Sequence, residues 1–137
     1  MKRILFDTDI ILDFLFNREP YAEDTLRLLL LCEKKQLLGF VTPVIISNTY
    51  YILRQQASHE IVLEKLKMLL SILKVLTMNN EVVHLALNSR FKDFEDALQY
   101  YSAIKSEKID SILTRNTKDF KEAKLPVFTP KEFLQTI

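Results

Sequence analysis

Along the chain, short apolar runs alternate with longer stretches in which apolar residues recur every three or four positions, a pattern that predicts strands and helices in turn. Residues 3–7 (RILFD) read as a buried strand, and 9–16 as a short helix that begins directly after it. The NREP turn launches a helix over about 21–35, with Ala22, Leu26, Leu29, Leu30 and Cys32 assigned to its apolar side. Gly39, the only glycine, precedes a second strand, GFVT, and Pro43 suits the first turn of a helix that runs to about Gln55. A helix over about 60–72, a strand at KVLT, helices over about 80–88 and 94–106, strands at 110–114 (DSILT) and 126–129 (PVFT), and a terminal helix PKEFLQTI complete the series.

Parallel neighbours in a sheet need crossovers, and helices placed regularly between strands supply them. The expected fold class is therefore α/β, a three-layer α/β/α arrangement around a parallel sheet of about five strands. With no repeat, low-complexity stretch or linker, residues 1–137 read as one domain.

Composition narrows the function classes without choosing one. A hydrophobic content of 48% is too high for disorder, and 19 Lys and Arg against 18 Asp and Glu give a net charge of +1, so no global field points to a polyanionic partner. The single cysteine, Cys32, rules out an intrachain disulfide and reads as a buried structural thiol, which fits a reducing cytoplasm. No basic-apolar-small leader is visible, and the longest apolar run, LLLLC, is far below the about 20 residues of a membrane span, so the expectation is a cytoplasmic protein with no membrane contact.

Candidate chemistry gathers where such a sheet binds ligands, beyond the carboxyl ends of its strands. The first strand ends at Asp7, in FDTDI, and Asp9 and Asp13 follow within an apolar stretch. The fourth runs into TRNTKDF with Asn116 and Asp119, and FKDFEDAL opens a helix with Asp93, Glu95 and Asp96. The helix after the second strand carries Ser47 and Asn48 among apolar neighbours. Each has a plainer explanation. Asp9 and Asp13 could cap or solvate their helix, Asp93 fits an N-cap with Asp96 at the third helical position, Glu95 and Asp110 read as solvated, and Asp119 could cap the KDF turn. Ser47 and Thr8 are helix-start hydroxyls that could also bind water or phosphate. Tyr50, Tyr51, Tyr100 and Tyr101, at helical spacing with leucines, read mostly as core or interface aromatics, and His59 and His84 as surface residues.

Taken in order, these segments resemble the PIN domain, the nuclease fold of many bacterial toxin–antitoxin ribonucleases. The resemblance spans nearly the whole chain and rests on FDTDIILD, the polar position early in the helix after the second strand, the Asp opening the helix around DALQYYSA, and TRNTKDF. It implies a metal-dependent ribonuclease with clustered acids: Asp7, Asp96 and Asp119 as metal ligands, with Asn116 and Asn48 beside them. Asn48 stands where many members have Glu, and Asn116 where many have Asp, so this site carries less negative charge. It also implies RNA as substrate and a small antitoxin as partner.

The chemistry agrees with that assignment, because phosphodiester hydrolysis needs an activated water and stabilisation of an extra negative charge, both within reach of carboxylate-held Mg²⁺ or Mn²⁺. Mg²⁺ typically takes only one or two carboxylates and keeps several waters, so Asp7 and Asp96 suffice without Asn48. Arg115 is the first choice for a phosphate contact, with Lys118 and Lys121 beyond it and Arg90 and Lys92 before Asp93. The apolar content of helices 21–35 and 43–55 predicts a homodimer that uses part of their surface. Two other readings compete. FDTDI could be the start of a haloacid dehalogenase-type phosphatase with Thr114 as its phosphate-binding hydroxyl, although the helix begins without that family's glycine-bearing excursion; and Asn48 and Asn116 keep open a non-catalytic PIN-like module that binds RNA or protein.

Overall fold

A computed structural model describes residues 1–137. Its sheet has five strands, β1 (Arg3–Phe6), β2 (Leu38–Val41), β3 (Lys74–Val75), β4 (Ser111–Leu113) and β5 (Val127–Phe128), in the order β3-β2-β1-β4-β5 with every pair parallel. Between them run helices α1 (Thr8–Leu15), α2 (Ala22–Glu33), α3 (Pro43–Leu53), α4 (His59–Leu70), α5 (Asn80–Leu87) and α6 (Phe94–Lys105), with α7 (Pro130–Leu134) at the end and a 3₁₀ turn at Thr117–Phe120. The expected α/β fold and every expected element are present. Helices α1 to α4 pack on one another and α7 on α2, while α5 packs on α6, a division that right-handed crossovers place on opposite faces of the sheet.

The central strand shows why the sequence builds this core. Ile4, Leu5 and Phe6 are at most 1% exposed, as expected of a parallel strand covered on both faces. Leu5 pairs with Phe40 on one side and Ile112 on the other, so β1 aligns both halves of the sheet. Gly39 is required by packing: a Cβ there would stand 2.5 Å from Leu73 Cδ2 and 2.9 Å from both Cys32 Sγ and Phe6 Cε2.

Six of the seven helices start at a capping side chain, and three of these caps stand near the strand ends. Asp7 caps α1 by accepting from the Thr8 N–H at 2.8 Å, Thr42 caps α3 by accepting from the Ile45 N–H at 3.1 Å ahead of Pro43, and Asp93 caps α6 by accepting from the Glu95 N–H at 2.8 Å. Asp7 thus lies one residue beyond the strand, although its N–H still extends the ladder by donating to Leu113 O at 3.0 Å. In α2 the inward side differs from the sequence expectation. Ala22, Thr25, Leu28, Leu29 and Cys32 are buried, whereas Leu26 and Leu30 are 44% and 42% exposed, because the 3.6-residue period sets those two on the outer stripe. No helix is long and apolar enough to cross a membrane.

Candidate functional site

The order of the sheet locates the crevice. From β1 the chain moves outward through β2 and β3, then returns to lay β4 on the other side of β1, so the direction of winding reverses between β1 and β4. Ligands of open α/β sheets bind outside the strand ends at such a reversal. Asp7 and Thr114 are the residues that leave β1 and β4 there.

A hydrogen-bonded hinge joins the two strand ends. The Thr114 hydroxyl donates to Asp7 Oδ2 at 2.8 Å and accepts from the Asn116 N–H at 3.1 Å, while the Arg115 N–H donates to Asp9 Oδ2 at 3.1 Å. With Thr8 N–H on its other oxygen, Asp7 is held in one orientation. Deeper in, Asp13 is 0% exposed and meets Arg115 Nε at 2.8 Å and Arg18 Nη1 at 3.6 Å. Burial pushes the Asp13 carboxyl up, and the two guanidiniums pull it back.

The cleft that opens over this hinge, about 420 Å³, gathers Asp7, Thr8, Asp9, Asn48, Asp93, Glu95, Asp96, Asn116 and Asp119. Its acids disfavour one another's ionisation. Burial, followed by the charges of Asp7, Asp93, Asp119 and Glu95, pushes Asp96 up to about 7; burial and then Asp7 push Asp9 up to about 6. Burial also raises Asp7, against the hydrogen bonds of Thr114 and Thr8, and raises Glu95, against the hydrogen bond from Asn48.

Does this donor set suit a divalent metal? It consists of hard oxygens from carboxylates, amides and a hydroxyl, the chemistry that Mg²⁺ and Mn²⁺ prefer. Two buried oxygens, Asp9 Oδ1 and Thr8 Oγ1, lack any hydrogen-bond partner. Repulsion among the carboxylates is the strain that a cation relieves. No group of three or more His, Cys, Asp or Glu side chains forms a ready-made cage. A cation that keeps most of its waters does not require one, so the residues fit such an ion.

Asp7, Asp96, Asp119, Asn116, Asn48 and Thr8, singled out in the sequence, all line this one cleft. Ser47 does not: it is exposed and lies outside the lining. Lys118 lines a neighbouring cavity of about 360 Å³ with Arg90, Lys92 and Lys121, and that cavity shares Asp93, Asp96 and Asp119 with the acidic cleft. Arg115 pairs by Nε with Asp13 and lines a different cavity from the acidic cleft.

Sequence reasoning underrated three acids. Glu95, expected to be solvated, is half-buried and accepts a hydrogen bond from the Asn48 amide. Asp9 and Asp13, read either as capping or solvated residues or as neighbours of the site, dock the Arg115 segment: Asp9 accepts from its backbone N–H and Asp13 pairs with its guanidinium. Their i,i+4 spacing in an apolar helix carried the signal, since two acids on one buried side need a cation. Tyr51, expected in core or interface, is 67% exposed and borders the cleft.

An open parallel sheet wound in two directions, with a carboxylate-rich cleft over the reversal, defines an α/β/α domain whose central strand ends at a cluster of hard oxygen donors. The PIN domain family model matches residues 3–118, and the chain belongs to that family. The match excludes the phosphatase alternative drawn from FDTDI. No curated protein sequence matches the chain.

Solved structures agree in fold. VapBC2 from Rickettsia felis, bound to a promoter DNA fragment, has a chain that superposes with a TM-score of 0.68 at 19% identity, covering 91% of this chain and 96% of that one. A toxin–antitoxin complex from Klebsiella pneumoniae gives 0.68 at 22% identity, over 93% and 97%. VapC20 of Mycobacterium tuberculosis, described as a sarcin-ricin loop cleaving toxin, gives 0.61 at 15% identity, over 80% and 86%.

Proposed function

We propose that this PIN domain is an endoribonuclease that hydrolyses RNA phosphodiester bonds with Mg²⁺ or Mn²⁺ held in the acidic cleft, and that it acts in the cytoplasm as the toxin of a toxin–antitoxin pair. The observation that carries this reading is the gathering of Asp7, Glu95, Asp96 and Asp119 at the switch point, where burial and crowding raise Asp96 to about 7. Family membership and the toxin–antitoxin complexes among the structural neighbours support the toxin role and an antitoxin partner.

A divalent cation in the cleft supplies positive charge for the transition state and acidifies a water. Asp7 and Asp96 would hold it, with Asp119 as the third carboxylate. Thr114 and the Thr8 N–H fix the Asp7 carboxylate, and the Asn116 amide reaches the same cleft from the hinge. Asn48 keeps Glu95 turned toward the cleft. RNA phosphates would lie along Arg90, Lys92, Lys118 and Lys121, whose cavity adjoins the acids. The exposed Leu26 and Leu30 of α2 support a homodimer that covers this stripe, and light scattering at tens of micromolar tests it.

Calorimetric titration with Mn²⁺ tests the metal assignment. Wild type should bind, and Asp7→Asn and Asp96→Asn should each weaken binding. Equal affinity in all three proteins removes the cleft as the metal site.

A further inference from the structure

A third cavity, about 570 Å³, lies against the acidic cleft and shares Asn116 with it. Tyr21, Glu23 and Asp24 from the start of α2, Arg115 beyond β4, and Lys131 of α7 supply its chemistry. The Arg115 guanidinium lies 4.2 Å from the centre of the Tyr21 ring, a stacked pair. Its Nε lies 2.8 Å from a carboxylate oxygen of the fully buried Asp13, an ion pair that holds the head group from behind. The two terminal nitrogens make no hydrogen bond within the chain.

Charge decides what such a cavity takes. Arg115 and Lys131 are balanced by Glu23 and Asp24, so the lining carries no net charge to attract a phosphate. It offers instead the outer face of a guanidinium backed by an aromatic ring, and two carboxylate acceptors. A flat neutral ring with two adjacent donors on one edge complements that set. Among the RNA bases only guanine has this arrangement, because its N1–H and N2–H₂ can both donate to one carboxylate. Adenine and cytosine set a single amino group beside an acceptor, and uracil sets its one N3–H between two acceptors.

We propose that this cavity is a nucleobase subsite that receives an unpaired guanine next to the scissile phosphate, stacked on the outer face of the Arg115 guanidinium that Tyr21 backs, and read along its N1–H and N2–H₂ edge by Glu23 and Asp24. The inference rests on the ribonuclease reading for its place in the reaction, because the two cavities adjoin at Asn116. The base must be splayed out of any helix to enter, so the substrate is single-stranded at that position.

The test uses the full chain and 5′-GMP, AMP, CMP and UMP, with binding followed by NMR in the absence of metal. GMP should bind about tenfold more tightly than AMP and shift the resonances of Tyr21 and Lys131. Tyr21→Ala should weaken GMP about tenfold, and the double variant Glu23→Gln, Asp24→Asn should bring the GMP to AMP ratio close to one. Both spare the Asp13–Arg115 pair. Equal affinity for the four nucleotides, or shifts confined to the acidic cleft, overturns the subsite. Mapping of cleavage sites in a random RNA separates the two readings. Cutting without preference for a neighbouring G overturns the subsite and leaves the nuclease, whereas tight GMP binding by a protein that cuts no RNA keeps the subsite and overturns the nuclease.

Discussion

The side-chain amide of Asn48 donates a hydrogen bond to the Glu95 carboxylate, which joins α3 to α6 across the mouth of the acidic cleft. The position at which many PIN domains carry Glu is therefore not simply missing a charge. Glu95, on another helix, brings a carboxylate to the same cleft, and Asn48 steadies it there. Asn48→Glu should remove the donor and set two carboxylates against each other, so the metal-free protein should melt a few degrees lower. Saturating Mn²⁺ should reverse the deficit, and the Mn²⁺ midpoint should move to lower concentration. Thermal melts with and without Mn²⁺ check both signs.

The fold was legible because strand and helix periods alternate cleanly and because Pro43, Gly39 and the acids at 7 and 93 punctuate them. The crowding of Asp7, Asp96 and Asp119 into one cleft followed from asking what stands at the ends of parallel strands. Contacts between distant elements were not legible. Nothing local in FKDFEDAL distinguishes Glu95 from a solvated helix residue; only the packing of α6 beside α3 brings Asn48 to it. The i,i+4 acids of α1 call for a cation, but only the fold, which sets β4 beside β1, brings Arg115 to Asp13.

Proton linkage has a definite sign in the cleft. Asp96 is raised to about 7 in the folded protein, from about 4 when unfolded, so between these values the folded state holds more protons than the unfolded state. Its ionisation thus costs stability as pH rises toward and through 7. Metal-free protein should be more stable at pH 5 than at pH 8, as far as this group decides, and Asp96→Asn should raise the melting temperature at pH 8 more than at pH 5. Denaturation curves at the two values, with chelator present, measure the difference.

The Asp13–Arg115 pair gives a stability prediction of the opposite kind. Removing the guanidinium leaves a wholly buried carboxylate with only Arg18 at 3.6 Å. Arg115→Ala should cost about 2 kcal/mol, discounted for the partial exposure of Arg115, and Asp13→Ala combined with Arg115→Ala should cost less than the sum of the singles. A urea double-mutant cycle reads this coupling.

Gly39 offers a check on the core that is independent of the site. A methyl group there meets Leu73, Cys32 and Phe6 at 2.5 to 2.9 Å, so Gly39→Ala should destabilise by about 1–3 kcal/mol. Urea denaturation of the metal-free protein measures it, and Leu73→Ala in the same chain should recover part of the loss if overpacking is the cause.

RNA cleavage across a Mn²⁺ series, with wild type and Asp7→Asn side by side, tests the central claim most directly. The substrates are a panel of single-stranded and structured RNAs, and circular dichroism confirms that both proteins are folded. Wild type should cut with a rate that climbs with Mn²⁺ and rises less with Mg²⁺, whose dehydration is harder. Asp7→Asn should lose at least about a hundredfold in rate while keeping most of its RNA affinity, because the lysine and arginine rim is untouched. A folded wild type that cuts nothing at any Mn²⁺ concentration, or an Asp7→Asn variant that cuts equally well, would contradict the assignment.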